Sequence, residues 1–294
     1  MKISGFTFVK NAVKYDYPVV ESIQSILPLV DEMVISLGDS EDATNELIAS
    51  IKSEKIKTIH SVWDKNLRTG GKVLAVETDK AMDAVAADAD WLFYIQADEV
   101  LHEKYYDAIR KALTAYKDDD QVEGLLFHYL HFYGSYKYLG DGRKWYNKEI
   151  RIIKNDKNIR SYRDAQGFRK NNRKLNVKLL DTFIYHYGWV RHPLFMQQKH
   201  RDFGQFWNEE DKHKEWTNVV DQKEPAFDYS AIDSIALFDG THPAVMKNRV
   251  EKENWHFEHS VKDKQFKNIK HKFLYFLDKK FGFKPFSYKN YRII

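Results

Sequence analysis

The chain reads as an α/β protein: a mostly parallel sheet with helices on both faces, followed by a helical C-terminal extension. Two observations carry this reading. Over the first ~120 residues, apolar strand-like runs alternate four times with segments of helical periodicity. Regular β-α alternation builds a parallel sheet through right-handed crossovers. After Pro193 the alternation stops, and large aromatics such as Phe195, Phe203, Phe206, Trp207 and Trp216 fill a helical pattern.

Each element has its own signal. KISGFTFV is the first strand. Pro18 suits a first helical residue, and Val19, Ile23, Ile26 and Leu27 follow at helical spacing until Pro28 interrupts. MVISL is the second strand, and Ser40 or Asp42 caps a helix burying Leu47, Ile48 and Ile51. KIKTIHSVW is a third, weaker strand. A helix from about Gly71 to Ala87 puts Leu74, Ala81 and Val85 on one face. WLFYIQADEV is the fourth strand, and Tyr106, Ile109, Leu113 and Tyr116 mark the helix after it.

Composition narrows the class. The 294 residues are 43% hydrophobic and 31% charged, ordinary for a globular chain long enough to bury a sizeable core. With no cysteine, disulfides and thiolate metal sites are excluded. MKISGFTFVKNAV lacks the sustained apolar run of a signal peptide, and no stretch approaches the ~20 apolar residues of a membrane span. The expectation is a cytoplasmic protein. Its charge is uneven: Lys262 to Ile294 holds ten Lys or Arg against two Asp, while the rest holds 37 against 41 Asp or Glu. A near-neutral body with a basic, aromatic tail does not fit a nucleic-acid binder, whose basic surface lies on the folded body.

In open parallel sheets, ligands bind beyond the carboxyl ends of the strands. Those positions here are Lys10-Asn11, Gly38 to Thr44, Asp64 to Lys72, and Gln96 to Glu99, all polar or rich in glycine. Arg68, Gly70, Gly71 and Lys72 precede a helix, where free N–H groups favour an anion; solvated loop charges are the plain alternative. A Walker motif is rejected, because Asn66 and Val73 stand where Gly and Ser or Thr belong, and no G-x-G-x-x-G follows the first strand. Asp98 and Glu99 are costly acids at the end of a core strand. They suit either a Mg²⁺ or Mn²⁺ ion shared with a diphosphate, or the start of the next helix.

The order of these motifs resembles the glycosyltransferases of family 2, inverting enzymes of the GT-A type with a Rossmann-like sheet. The resemblance runs through Phe8-Val9-Lys10-Asn11, Leu29-Val30-Asp31-Glu32, Ser40 to Thr44, and Trp91 to Glu99. It implies a nucleotide-sugar donor, with a UDP-sugar preferred, bound by Phe8, Lys10, Asn11, Asp39, Arg68, Lys72, Gln96 and Asp98. The family's D-x-D metal motif reads Gln96-Ala97-Asp98 here, so Asp98 is the implied metal ligand and Gln96 supplies no charge. The resemblance further implies a catalytic carboxylate downstream, for which Asp164, Glu149 and Asp141 are candidates, Asp164 foremost. His186 is placed to join the metal, or is a core histidine; Trp189 and Arg191 would line the pocket of a carbohydrate or lipid-linked acceptor. His128, His131, His256 and His259 lack enough nearby ligands for zinc and are expected to be structural.

The expected organisation is a nucleotide-sugar-binding half over residues 1–125, an acceptor-side half over 126–205 and the basic, aromatic extension over 206–294. In the extension, Phe266, Ile269, Phe273, Phe276 and Leu277 form an apolar stripe among lysines. Such a helix either packs on the body, the favoured reading, or lies peripherally on the inner face of a membrane, as suits envelope glycan synthesis. Three other functions stay open: a non-catalytic nucleotide-sugar or glycan binder, a membrane or assembly protein working through its tail, and a nucleotidyltransferase.

Overall fold

The computed structural model describes residues 1–67, 69–207, 226–282 and 284–294. The expected alternation is present at the start: β1 (Ile3–Val9), α1 (Val19–Ile26), β2 (Glu32–Leu37), α2 (Thr44–Ala49), β3 (Ile56–His60), α3 (Lys72–Asp83), β4 (Trp91–Tyr94). The run WLFYIQADEV is not one strand. It turns after Tyr94 and resumes as β5 (Glu99–Leu101), which pairs antiparallel on a distant part of the sheet before α4 (Tyr106–Ala115).

The second half supplies β6 (Gly124–Tyr133), β7 (Ser135–Gly140), β8 (Lys148–Lys154), β9 (Ile159–Tyr162), β10 (Gly167–Lys170), the long β11 (Arg173–Trp189) and α5 (Pro193–Phe203). The C-terminal extension is only partly helical. It holds β12 (Ile235–Leu237), the short α6 (Lys247–Glu251), α7 (Ile269–Phe281) and β13 (Tyr291–Ile293), and β13 joins the sheet beside β11. The main path of the sheet runs β3-β2-β1-β4-β8-β6-β11-β10-β9. The first four strands on this path are parallel, as the alternation predicts, and β8 opens a mixed region by pairing antiparallel with both β4 and β6.

Period-two alternation divides the core between two faces. Met33, Ile35, Trp91 and Phe93 face α1 and α4, against Ile23, Ile26, Ile109 and Leu113. Phe6, Val34, Leu92 and Tyr94 face α3, against Ala81 and Met82. Helices thus cover both faces of the parallel half. Because β2 lies on one side of β1 and β4 on the other, chain direction around β1 creates a crevice at the carboxyl edge.

Candidate functional site

A cavity of about 390 Å³ opens at this edge, lined by Lys10, Asn11, Lys14, Tyr15, Trp63 and Phe206 among others. It shares Lys10, Trp63 and Phe203 with a smaller cavity of about 120 Å³ that reaches Phe8, Gln96, Asp98 and Lys199. Together they form one crevice over the ends of β1 and β4.

The outer part is braced by hydrogen bonds between the loops after β1 and β2. Lys10 Nζ donates to Asp39 Oδ1 at 2.6 Å, and the same oxygen accepts from the Trp63 N–H at 3.1 Å. Burial alone would raise the Asp39 carboxyl, but these two partners outweigh it and hold it below its ordinary range. Asn11 adopts a left-handed φ of 54°, a conformation Asn tolerates better than most residues, and its Oδ1 accepts from the Glu41 N–H at 2.8 Å. Asn11 therefore shapes the loop with its side chain. Phe8 packs on Trp63, with centroids 5.6 Å apart, and Trp63 packs on Phe206 at 5.5 Å. The result is an aromatic wall beside the Lys10 ammonium.

The inner end is charged. Asp98 sits in the turn between β4 and β5, with Lys199 Nζ 3.5 Å from its Oδ2 and His186 Nε2 3.8 Å from its Oδ1. Burial works to raise the Asp98 carboxyl, but the positive charge set around it, from His186 when protonated and from Lys199 and Arg191, more than reverses this and holds it below its ordinary range. Burial, reinforced by Arg191, pushes the Lys199 ammonium down to about 7. His186 is lowered as well, chiefly by burial, which favours the neutral imidazole. Its Nδ1 lies 3.0 Å from Nδ1 of His131, whose Nε2 is 2.6 Å from the Tyr146 carbonyl oxygen. Gly188 permits this approach, since a Cβ there would fall 2.6 Å from the His186 ring and 2.8 Å from Asp98 Oδ2.

Glu99 does not share the crevice. Its side chain is fully buried, takes Arg151 Nε at 2.8 Å and Nη2 at 2.6 Å, and accepts the Tyr129 hydroxyl at 2.8 Å. The chain turn at Gln96–Asp98 sends the two adjacent acids in different directions, so the pairing expected of them at a metal is corrected. Gln96 lines the crevice, but its amide nitrogen is engaged by the Tyr94 hydroxyl and the Ala165 carbonyl, both at 3.3 Å.

That second contact ties Gln96 to the turn holding Asp164. Arg163 and Ala165 flank Asp164 with φ values of 57° and 60°, left-handed conformations unfavourable to both residue types. The turn rests on the start of α3, where Gly71 at φ 69° leaves space that a Cβ would occupy 2.6 Å from the Asp164 Cβ. Burial raises the Asp164 carboxyl above its ordinary range.

Several expected roles change with the geometry. Lys72 is exposed on the first turn of α3 and lines neither cavity, and Arg68 lies outside the described residues. Trp216 lies outside them too. Arg191 is fully buried and donates to the carbonyls of Tyr15 and Gly188, so it organises the interior where an acceptor contact had been expected. Glu149 is buried on β8, with Oε2 unpartnered beside Gly167, and burial lifts its carboxyl to about 8. Asp141 is held by Ser234, Lys264, Tyr275 and Lys279, which makes it an anchor for the C-terminal segment. Trp189 is partly exposed and packs among Tyr133, Trp145 and Phe227.

No family model matches this chain, and no curated protein does either. Among solved structures it is similar to S. aureus TarS 1-349, with 14% identity over 74% of this chain and 69% of that one, TM-score 0.39. Against a longer TarS chain the match spans only 43% of that protein, TM-score 0.36. It is also similar to glucosyl-3-phosphoglycerate synthase from Mycobacterium tuberculosis in complex with Mn²⁺, UDP and phosphoglyceric acid. That likeness has 18% identity, covers 44% of this chain and 43% of the other, and has a TM-score of 0.30.

Sequence reasoning missed Lys199, Trp63 and His131. Lys199 lies on α5, about 100 residues from Asp98, and only the docking of α5 across the crevice unites them. α5 is held there by Asp202, which takes Lys14 at 2.9 Å and the Tyr15 hydroxyl at 3.1 Å. Trp63 carried a usable signal, since it follows the third strand at the same edge. His131 had none, because its partner His186 is on a neighbouring strand set by long-range register.

Proposed function

We propose that the chain is an inverting glycosyltransferase that moves a sugar from a nucleoside-diphosphate donor, a UDP-sugar for preference, to a hydroxyl acceptor. The observation that carries this reading is the crevice at the β1/β4 switch point, which joins an aromatic wall beside Lys10 to an inner end holding Asp98, His186 and Lys199. Phe8 and Trp63 offer faces to a flat nucleobase, while Lys10 and Lys199 offer charge to a diphosphate. A bound diphosphate would stabilise the charged form of Lys199, offsetting its burial.

The donor set at the inner end fits a divalent cation. Among the described residues no three or more His, Asp or Glu side chains converge on one point. Mg²⁺ and Mn²⁺ commonly need only one or two protein ligands plus substrate phosphates. Asp98, ionised, and His186, neutral and oriented by His131, are the two that would hold it. When bound, such an ion supplies charge neutralisation on the leaving diphosphate.

The chain's own residues do the rest. Lys10 and Lys199 hold the donor's phosphates, the Asp39 and Asn11 contacts keep the first loop in place, and crevice walls exclude water. Asp164, in its strained turn beside Gln96, takes the proton of the acceptor hydroxyl as that oxygen attacks the anomeric carbon and the diphosphate leaves. A carboxyl raised by burial is a better base near neutrality than an exposed one. Trp189 offers an aromatic face to an acceptor sugar, and a lipid-linked or envelope glycan is the acceptor class this reading favours.

The test is thermal melting against a panel of nucleoside diphosphates and nucleotide sugars, with and without Mn²⁺, beside Asp98→Ala. Ligand at ~100 times its dissociation constant should add about 2.7 kcal/mol of stability. The expected result is a Mn²⁺-dependent shift for one nucleotide, absent in Asp98→Ala. No shift with any nucleotide would sink the reading.

A further inference from the structure

Sequence alone favoured packing of the C-terminal helix on the body, yet α7 has no buried residue. One side is docked: Tyr275 and Lys279 meet Asp141, and the Leu274 carbonyl accepts from Arg143 Nη1 at 3.2 Å. An adjoining face presents Ile269, Phe273 and Phe276, at i, i+4 and i+7, with exposures of 86%, 58% and 49%. Beyond the helix, Phe286 is 89% exposed and holds a left-handed φ of 60°. Leaving four large apolar side chains in water on one segment is unfavourable, and such a patch marks an interaction surface.

The surroundings of the patch indicate what covers it. Lys267, Lys270, Lys272 and Lys280 are all exposed beside it. Lys270 stands over the Phe286 ring at 5.8 Å, and Lys280 over Phe276 at 5.3 Å. Bulky apolar groups ringed by ammonium groups match a surface with an oily interior and an anionic skin. A protein partner would usually bring carboxylates in a fixed pattern and bury fewer lysines. The helix is docked, so its apolar side is held in place before binding and little ordering entropy is lost on contact.

We propose that α7 and the Phe286 turn form a peripheral docking surface for an anionic lipid bilayer. The rings of Phe273, Phe276 and Phe286 enter the interfacial region, and the flanking lysines contact lipid phosphates. The segment lies in the plane of the membrane and does not cross it; no described helix is long and apolar enough to do so.

Co-sedimentation of the full chain tests this with vesicles of phosphatidylcholine alone and with about one-third phosphatidylglycerol. Binding is expected to the anionic vesicles only and to weaken several-fold between about 0.1 and 0.5 M salt. Phe273→Ser with Phe276→Ser should cut partition at least tenfold, and each of Lys270→Gln and Lys280→Gln on the order of fivefold. These side chains are solvent-facing, so circular dichroism and melting should match the parent and separate lost docking from lost folding. Absence of binding to anionic vesicles at low salt would overturn the proposal, as would undiminished binding by the double serine variant. A chain that binds no vesicle but dimerises until Phe273 is replaced would also overturn it, assigning the patch to a second copy.

Discussion

Glu149 and Asp164 are both carboxyls raised by burial, yet they differ in what surrounds them. Glu149 is enclosed by the sheet and by Gly167, with one oxygen unpartnered, whereas Asp164 stands in a turn against Gln96 and the start of α3. Glu149 therefore carries a stability cost. Its folded value near 8 exceeds the ordinary 4.5, so the native state keeps a proton that the unfolded chain releases. By linkage the stability this proton supports is complete below 4.5 and is lost as pH rises through 8. Glu149→Gln should remove that slope and raise stability by about 2–4 kcal/mol near pH 8, read from urea unfolding across pH. Asp164→Asn should not lower stability, since burial disfavours this carboxylate as well, and should lower kcat by about 10²–10⁴-fold with little change in KM. If Glu149→Gln instead abolished turnover while Asp164→Asn kept it, their assignments would exchange.

The turn between β4 and β5 shows how an element boundary decides the fate of neighbouring residues. Asp98 stays in the turn and reaches the crevice; Glu99 begins β5 and enters the core to meet Arg151. A buried ion pair need not be strongly stabilising as a whole, but removing one member strands the other. Arg151→Met alone should cost about 3–5 kcal/mol in urea unfolding, and adding Glu99→Leu should recover most of that loss. Near-additive losses would show that the two do not act as a pair. The start of the parallel half was legible for a related reason: Val19, Ile23 and Ile26 follow a local period, and α1 forms there. The break inside WLFYIQADEV was not legible, because β5 exists only through pairing with β11, some 85 residues away.

Across the molecule, the strands of the second half of the sheet are fastened to one another by charged contacts as well as by ladder pairing. Glu123, just before β6, accepts Arg173 Nη1 at 2.7 Å, the Asn176 N–H at 3.0 Å and Lys170 at 3.1 Å. Burial opposes its ionised form, but these partners prevail and bring its carboxyl down to about 2. A depressed carboxyl contributes stability above its ordinary 4.5 that is lost as pH falls toward 2. Glu123→Gln should therefore lower the melting temperature at neutral pH and flatten its decline in acid. A parallel decline in parent and variant would remove Glu123 from the account of acid lability.

Local pattern in the chain was enough for the α/β class, the four parallel strands, the crevice edge and the unusual basic tail. Each depends on residues a few positions apart, where periodicity and turn chemistry act directly. Contacts across the fold decided the rest: Lys199 brought to Asp98 by α5, His131 brought to His186 by strand register, Arg191 drawn inside, and α7 left with its apolar side in water. Their partners are separated by tens to hundreds of residues, so no spacing rule encodes them. Packing chose among alternatives that the local chemistry of the chain held open.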